Sequence, residues 1–94
     1  MKFKYLDIKT ISWNEDKNIL LKNDRGLWFE MAEELISKNE ILDVIDHSND
    51  KYLHQKIFIL KIKGYLCKVP FVEINNEIFL KTIYPDRRLK KLYK

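Results

Sequence analysis

The chain has 94 residues, of which 46% are hydrophobic, 13% aromatic and 34% charged, with two Gly and two Pro. That length carries one hydrophobic core and predicts a single domain over 1–94, and the composition excludes disorder and low complexity. The formal net charge of +4 is unevenly spread, because residues 81–94 hold six bases and one acid while residues 30–50 hold seven acids and a single base, Lys38.

A cationic C-terminal pole suits a phosphate backbone, whereas an acidic stretch repels nucleic acid and keeps the chain soluble. The plainer reading of the tail is a solvated helix end without a target. No window approaches the ~20 apolar residues of a membrane span, and Met1-Lys2-Phe3-Lys4 runs into charged sequence instead of an apolar signal core. A cytoplasmic protein with no membrane partner is expected. The one cysteine, Cys67, excludes an internal disulfide and a Cys-based zinc site, and its strand-like position predicts a small buried hydrophobe.

Residues 2–12 are rich in β-branched and aromatic side chains, with an alternation that slips near Leu6, and predict a strand with a bulge. Asn14 followed by Glu15 and Asp16 is a helix start, since Asn accepts from orphan amides and the acids complement the dipole. A helix over 15–23 follows, with Ile19, Leu20 and Leu21 inward and an end near Gly26. From Trp28 the apolar residues fall at helical spacing: Trp28, Ala32 and Leu35 on one line, Phe29, Ala32 and Ile36 on the next. Glu30, Glu33, Glu34 and Lys38 take the opposite face. The Trp28-Phe29 pair therefore reads as core and not as a platform for stacked bases.

Residues 41–45 are too few to assign, and 47–51 read as an exposed loop. Three β-rich runs follow: 57–62 is broken at Lys63-Gly64, 65–72 at Asn75-Asn76 and 78–84 at Pro85, which predicts a three-stranded antiparallel meander. Pro70 cannot donate to a ladder and is expected at an edge or a bulge. Beyond Pro85, Leu89, Leu92 and Tyr93 with bases between them predict a short basic helix. The expected fold is α+β: N-terminal strand, two helices, meander, C-terminal helix.

With two glycines there is no material for a phosphate-cradling loop, and no Ser nucleophile elbow or paired-His spacing is present. His47 and His54, near Asp46 and Asp50, fit no standard metal site, so neither metal nor cofactor is expected. A set of cations and phenols remains: Lys81, Tyr84, Arg87, Arg88 and Tyr93. Metal-free RNA cleavage needs a base for the 2′-OH proton, a cation for the pentacoordinate phosphate and a donor for the leaving oxygen, and these residue types can fill such roles.

Ile11-Ser12-Trp13 with Lys17, Arg25-Gly26 running into Phe29-Glu30 and Ala32, Val69-Pro70-Phe71-Val72, and Lys81-Thr82-Ile83-Tyr84-Pro85 with Arg87 and Tyr93 resemble the BrnT-type toxins of bacterial toxin–antitoxin pairs. The likeness runs from about Ile11 onward, and that family is similar in fold to the RelE-like ribonucleases. The resemblance implies a ribonuclease, free or linked to the ribosome, that arrests growth until a cognate antitoxin, typically a ribbon-helix-helix DNA-binding protein, neutralises it. Carried onto this chain, it implies a strand ending in an Arg over 81–87 and a closing helix over 88–93. Asp86 stands where a small hydroxyl or alanine is usual, and a carboxylate there either acts as a base or neutralises Arg87. Leu27-Trp28 and Leu53-His54 also depart from the pattern.

Two functions follow. In the first, Arg87 and Lys81 hold the phosphate, His47 or Tyr93 moves the proton, and Arg88, Lys90, Lys91, Lys17 and Arg25 bind the RNA. In the second, the chain is a degenerate, non-catalytic toxin that serves as partner of a DNA-binding antitoxin repressor.

Overall fold

The computed structural model describes residues 10–47 and 55–93. The elements are β1 (Thr10–Trp13), α1 (Glu15–Arg25), α2 (Phe29–Ser37), β2 (Asp43–Asp46), β3 (Lys56–Ile62), β4 (Tyr65–Ile74), β5 (Glu77–Leu80), β6 (Tyr84–Pro85) and a 3-10 helix (Arg87–Lys91). The fold is α+β, with a mixed sheet of order β1-β5-β4-β3-β2 and β6 attached to β4.

Asn14 caps α1 as expected, its side chain accepting from the Lys17 amide at 3.0 Å, and Gly26 closes the helix in the left-handed conformation. The inward set differs from the expected one. Ile19 and Leu20 are 49% and 55% exposed, while Leu21 and Asn18 are buried. Successive helical residues turn by 100°, so three in a row cannot share one face; Asn18 and Leu21, three apart, do. In α2 most of the expected stripe faces the sheet: Phe29, Ala32 and Ile36 are fully buried and Leu35 is partly so, but Trp28, expected in the core, precedes the helix as its N-cap and is half-buried, its ring under Lys63. Trp13 stacks on Phe29 with ring centroids 5.6 Å apart, joining β1 to this layer.

β3, β4 and β5 form the antiparallel meander, with the turns at Lys63-Gly64 and Asn75-Asn76 all at positive φ. Consecutive left-handed residues suit the twist of a two-residue hairpin. The meander is the centre of a wider sheet, a correction to the three strands expected. β2, from the unassigned segment, pairs antiparallel with β3, and β1 pairs parallel with β5. Residues 2–9, with the bulge expected near Leu6, lie outside the described residues.

The helices cover one face of the sheet, over Phe58, Leu60, Ile62, Cys67, Val69, Phe71, Ile78 and Leu80. On the other face the C-terminal segment packs Leu89 and Tyr93 against Ile57, Ile59, Ile45 and Leu66. The expected basic helix is thus a 3-10 turn that acts as a second, smaller lid.

The strand expected over 78–84 is broken in two. Phe71 pairs with Leu80 and Lys68 with Tyr84, so two residues of β4 oppose three of the neighbouring strand. That extra residue is a β-bulge over Lys81, Thr82 and Ile83. Its cause is Pro70. The Lys81 amide donates to the Pro70 carbonyl at 2.8 Å, but Pro70 has no amide to return, and the ladder slips there. Pro70 is therefore interior, facing a bulge in its neighbour, and not at an edge.

Candidate nucleic-acid interface

The bulge frees the Ile83 carbonyl, and Arg25 at the end of α1 satisfies it with a 2.6 Å hydrogen bond. Ile83 itself is buried in the core, so the guanidinium is pinned where α1 meets the sheet. Past the bulge, Tyr84 and Pro85 rejoin β4 opposite Lys68 and Cys67, and the Asp86 amide donates to the Leu66 carbonyl at 3.0 Å. Arg87 is thereby fixed beside the first residues of β4.

Two depressions meet there. One, of about 470 Å³, is lined by Arg25, Gly26, Leu27, Lys63, Tyr65, Pro85 and Arg87. The other, of about 250 Å³, is lined by Tyr65, Leu66, Pro85, Asp86, Arg87 and Lys90. Tyr65, Pro85 and Arg87 belong to both and form the ridge between them. Lys63 is held in place: its Nζ donates to the Gly26 carbonyl at 2.9 Å and stands 4.5 Å from the centroid of the Trp28 ring. Four cations, Arg25, Lys63, Arg87 and Lys90, thus border the joined cleft, against one carboxylate.

That carboxylate is Asp86, and it is already occupied. Its Oδ1 accepts from the Arg88 amide and from Arg88 Nε, both at 3.0 Å, and its Oδ2 accepts from Arg88 Nη2 at 2.9 Å. Lys68 Nζ stands 3.4 Å away, and the Asp86 side chain is 8% exposed. Hydrogen bonds from Arg88, followed by Lys68, hold the Asp86 carboxyl well below the usual carboxylate range. It caps the 3-10 helix and carries two positive partners. Among the described residues no carboxylate pairs with Arg87.

The remaining expected site residues are scattered. Lys81 sits in the bulge with its Nζ 5.3 Å from the Phe79 ring centroid, outside the residues lining the cleft. Tyr93 donates to Asp43 Oδ2 at 2.6 Å, tying the C-terminal segment to β2, and that bond with burial pushes the phenol up to about 12. His47 follows β2, its amide donating to the Gln55 carbonyl at 3.3 Å. Lys56, the partner of Asp46, pairs with Phe71 of β4, whereas Asp86 joins β4 at Leu66, so His47 and Arg87 lie toward opposite ends of that strand. Lys17 is in the first turn of α1, and Lys91 is exposed on the 3-10 helix. The cleft therefore unites Arg87, Arg25 and Lys90 and leaves Lys81, Tyr93, His47, Lys17 and Lys91 outside it, with Arg88 turned to Asp86.

Sequence reasoning missed Lys63 and Tyr65. Both flank the Gly64 turn, and the signal was there: a base and a large aromatic at a hairpin tip, where neither has a core to fill. Cys67 matches its expected place, fully buried, and burial pushes its thiol up to about 11. Among the described residues no group of three or more His, Cys, Asp or Glu is placed to hold a metal ion, and His54 and Asp50 lie outside them. No described helix is long and apolar enough to cross a membrane.

Comparison with family models, curated proteins and solved structures finds no match for the chain.

Proposed function

We propose that the protein is a cytoplasmic toxin of the BrnT type, RelE-like in fold, that binds RNA in the cleft around Arg87 and cleaves it without a metal. The observation that carries this reading is the state of Asp86. Because Arg88 and Lys68 take up that carboxylate, Arg87 keeps its charge for a phosphate, with Arg25, Lys63 and Lys90 around it. A guanidinium contacts two phosphate oxygens at once, and a cluster of cations, two of them, Arg25 and Lys63, held by hydrogen bonds, stabilises the pentacoordinate phosphate more than the ground state. The element order β1-α1-α2, meander and closing helix supports the RelE-like assignment.

A specific observation also favours the non-catalytic alternative. His47 and Tyr93, the expected proton-transfer groups, do not line the cleft, so neither is placed to take the 2′-OH proton beside Arg87. In either case an antitoxin silences the protein best by covering the cationic cleft with an acidic or amphipathic segment, and a ribbon-helix-helix protein is the expected partner.

Controlled expression in a bacterium, with and without a co-expressed ribbon-helix-helix partner, separates the readings. Growth arrest with RNA fragmentation, relieved by the partner, is the expected result. Normal growth and intact RNA, with the partner still copurifying, would establish the binding module instead.

A further inference from the structure

Tyr65 is the least explained large side chain of the cleft. It opens β4, is 61% exposed, and stands on the ridge shared by both depressions with Pro85 and Arg87. A tyrosine buries on the order of 150–250 Å² when packed, so leaving one this open forgoes a large apolar contribution. No core requirement puts it there, since the adjacent Leu66 and Cys67 already pack on the two faces of the sheet.

The other exposed aromatic among the described residues, Phe79, is a poorer platform. Lys81 Nζ occupies its surroundings at 5.3 Å, and among the described residues lining its depression the charged one is the acid Glu77. Among the described residues, Tyr65 is the most exposed aromatic, and several cations line the depressions on which it borders. Arg25, Lys63 and Arg87 line the depression on one side of it, and Arg87 and Lys90 the depression on the other.

We infer that Tyr65 is a stacking platform for an unpaired base of single-stranded RNA, with the flanking phosphates held by Arg25, Lys63 and Arg87 on one side and Lys90 on the other. This rests on the RNA-binding reading above and adds what that reading leaves open, the form of RNA selected. Aromatic stacking accepts a base only when it is free of its neighbours, and in a duplex every base is already stacked. The cleft is thereby selective for single strands, and sequence-tolerant, since every base offers a π-face.

The test uses the full chain and an uncleavable 2′-O-methyl ribo-oligomer, compared with the same oligomer carrying abasic sites, in direct binding titrations. The wild type should prefer the base-bearing oligomer roughly five- to a hundredfold, the range expected for one stacked base. Tyr65→Phe should keep that preference, and Tyr65→Ala should bind both oligomers alike while melting at the wild-type temperature. A preference that survives in Tyr65→Ala, or a wild type that binds both oligomers equally but is weakened by Arg87→Ala, would overturn the stacking role and leave RNA binding standing. A wild type that binds neither oligomer would overturn both. Polyglutamate of equal charge binding as tightly as the base-bearing oligomer would make the cleft a site for an acidic protein, and would also overturn the assignment.

Discussion

Arg88, not Arg87, holds Asp86: its Nε and Nη2 reach the two carboxylate oxygens at 3.0 and 2.9 Å while its backbone amide takes the cap. Two adjacent arginines thus have separate tasks. One fastens the 3-10 helix, and the other borders the cleft. Asp86→Ala should cost about 1 kcal/mol, the usual loss for a helix cap, and free Arg88 to move. Because the folded-state carboxyl titrates below its ordinary value, its contribution is present above about pH 4 and is lost as pH falls further. The melting temperature of the wild type should drop more steeply below pH 4 than that of Asp86→Ala, and parallel curves would contradict the pairing.

Asn18 is the polar residue on which the helix pair depends. The α2 N-cap, Trp28, has no side-chain bond to give, and Asn18 of α1 supplies it instead, accepting from the Phe29 amide at 2.8 Å and donating to Glu30 at 2.9 Å. Asn18→Ala leaves that amide buried and unpaired, a loss of about 2 kcal/mol. For a domain of this size the melting temperature should fall by roughly 10 °C. Asn14→Ala, which removes an exposed cap, should cost about half as much. Equal effects would show that Asn18 contributes no more than an ordinary cap.

The bond from Tyr93 to Asp43 makes an alkaline prediction. A phenol raised to about 12 stabilises the fold fully below its ordinary value near 10 and loses that contribution as pH rises from 10 through 12. Denaturant midpoints should fall over that window, and the fall should shrink in Tyr93→Phe, which is itself weaker at neutral pH by about 1 to 2 kcal/mol. An alkaline profile unchanged by Tyr93→Phe would show that other groups govern it.

The parts of the fold that were legible in the sequence are those in which one local signal had no competitor. Asn14 with two acids and Gly26 bracketed α1, and Lys63-Gly64 and Asn75-Asn76 marked the hairpins. β2 was not legible because both its faces are covered: Val44 packs toward the helices and Ile45 toward the C-terminal segment, and the alternation that betrays a half-buried strand is erased. The bulge was hidden for a different reason. Pro70 announced a fault in the ladder, but the extra residue lies across from it, at Lys81, Thr82 and Ile83, where the composition is ordinary for a strand. The site suffered most from distance. Arg25 and Arg87 are brought together by the freed Ile83 carbonyl, a contact between residues far apart in the chain that no spacing encodes.

The central claim is that Arg87 holds the phosphate while Arg88 holds Asp86. It is tested most directly by the rate at which purified Arg87→Ala and Arg88→Ala cleave single-stranded RNA with chelator present, beside their melting curves. Arg87→Ala should lose on the order of 10²-fold in rate, as expected for removing one fixed electrostatic stabiliser, with melting unchanged because the side chain is exposed. Arg88→Ala should melt at a lower temperature and lose less rate than Arg87→Ala, because it leaves Asp86 with Lys68 alone and lets the carboxylate compete for Arg87. Undiminished cleavage by a stably folded Arg87→Ala protein would contradict the account, and abolition of wild-type cleavage by the chelator would contradict its metal-free chemistry.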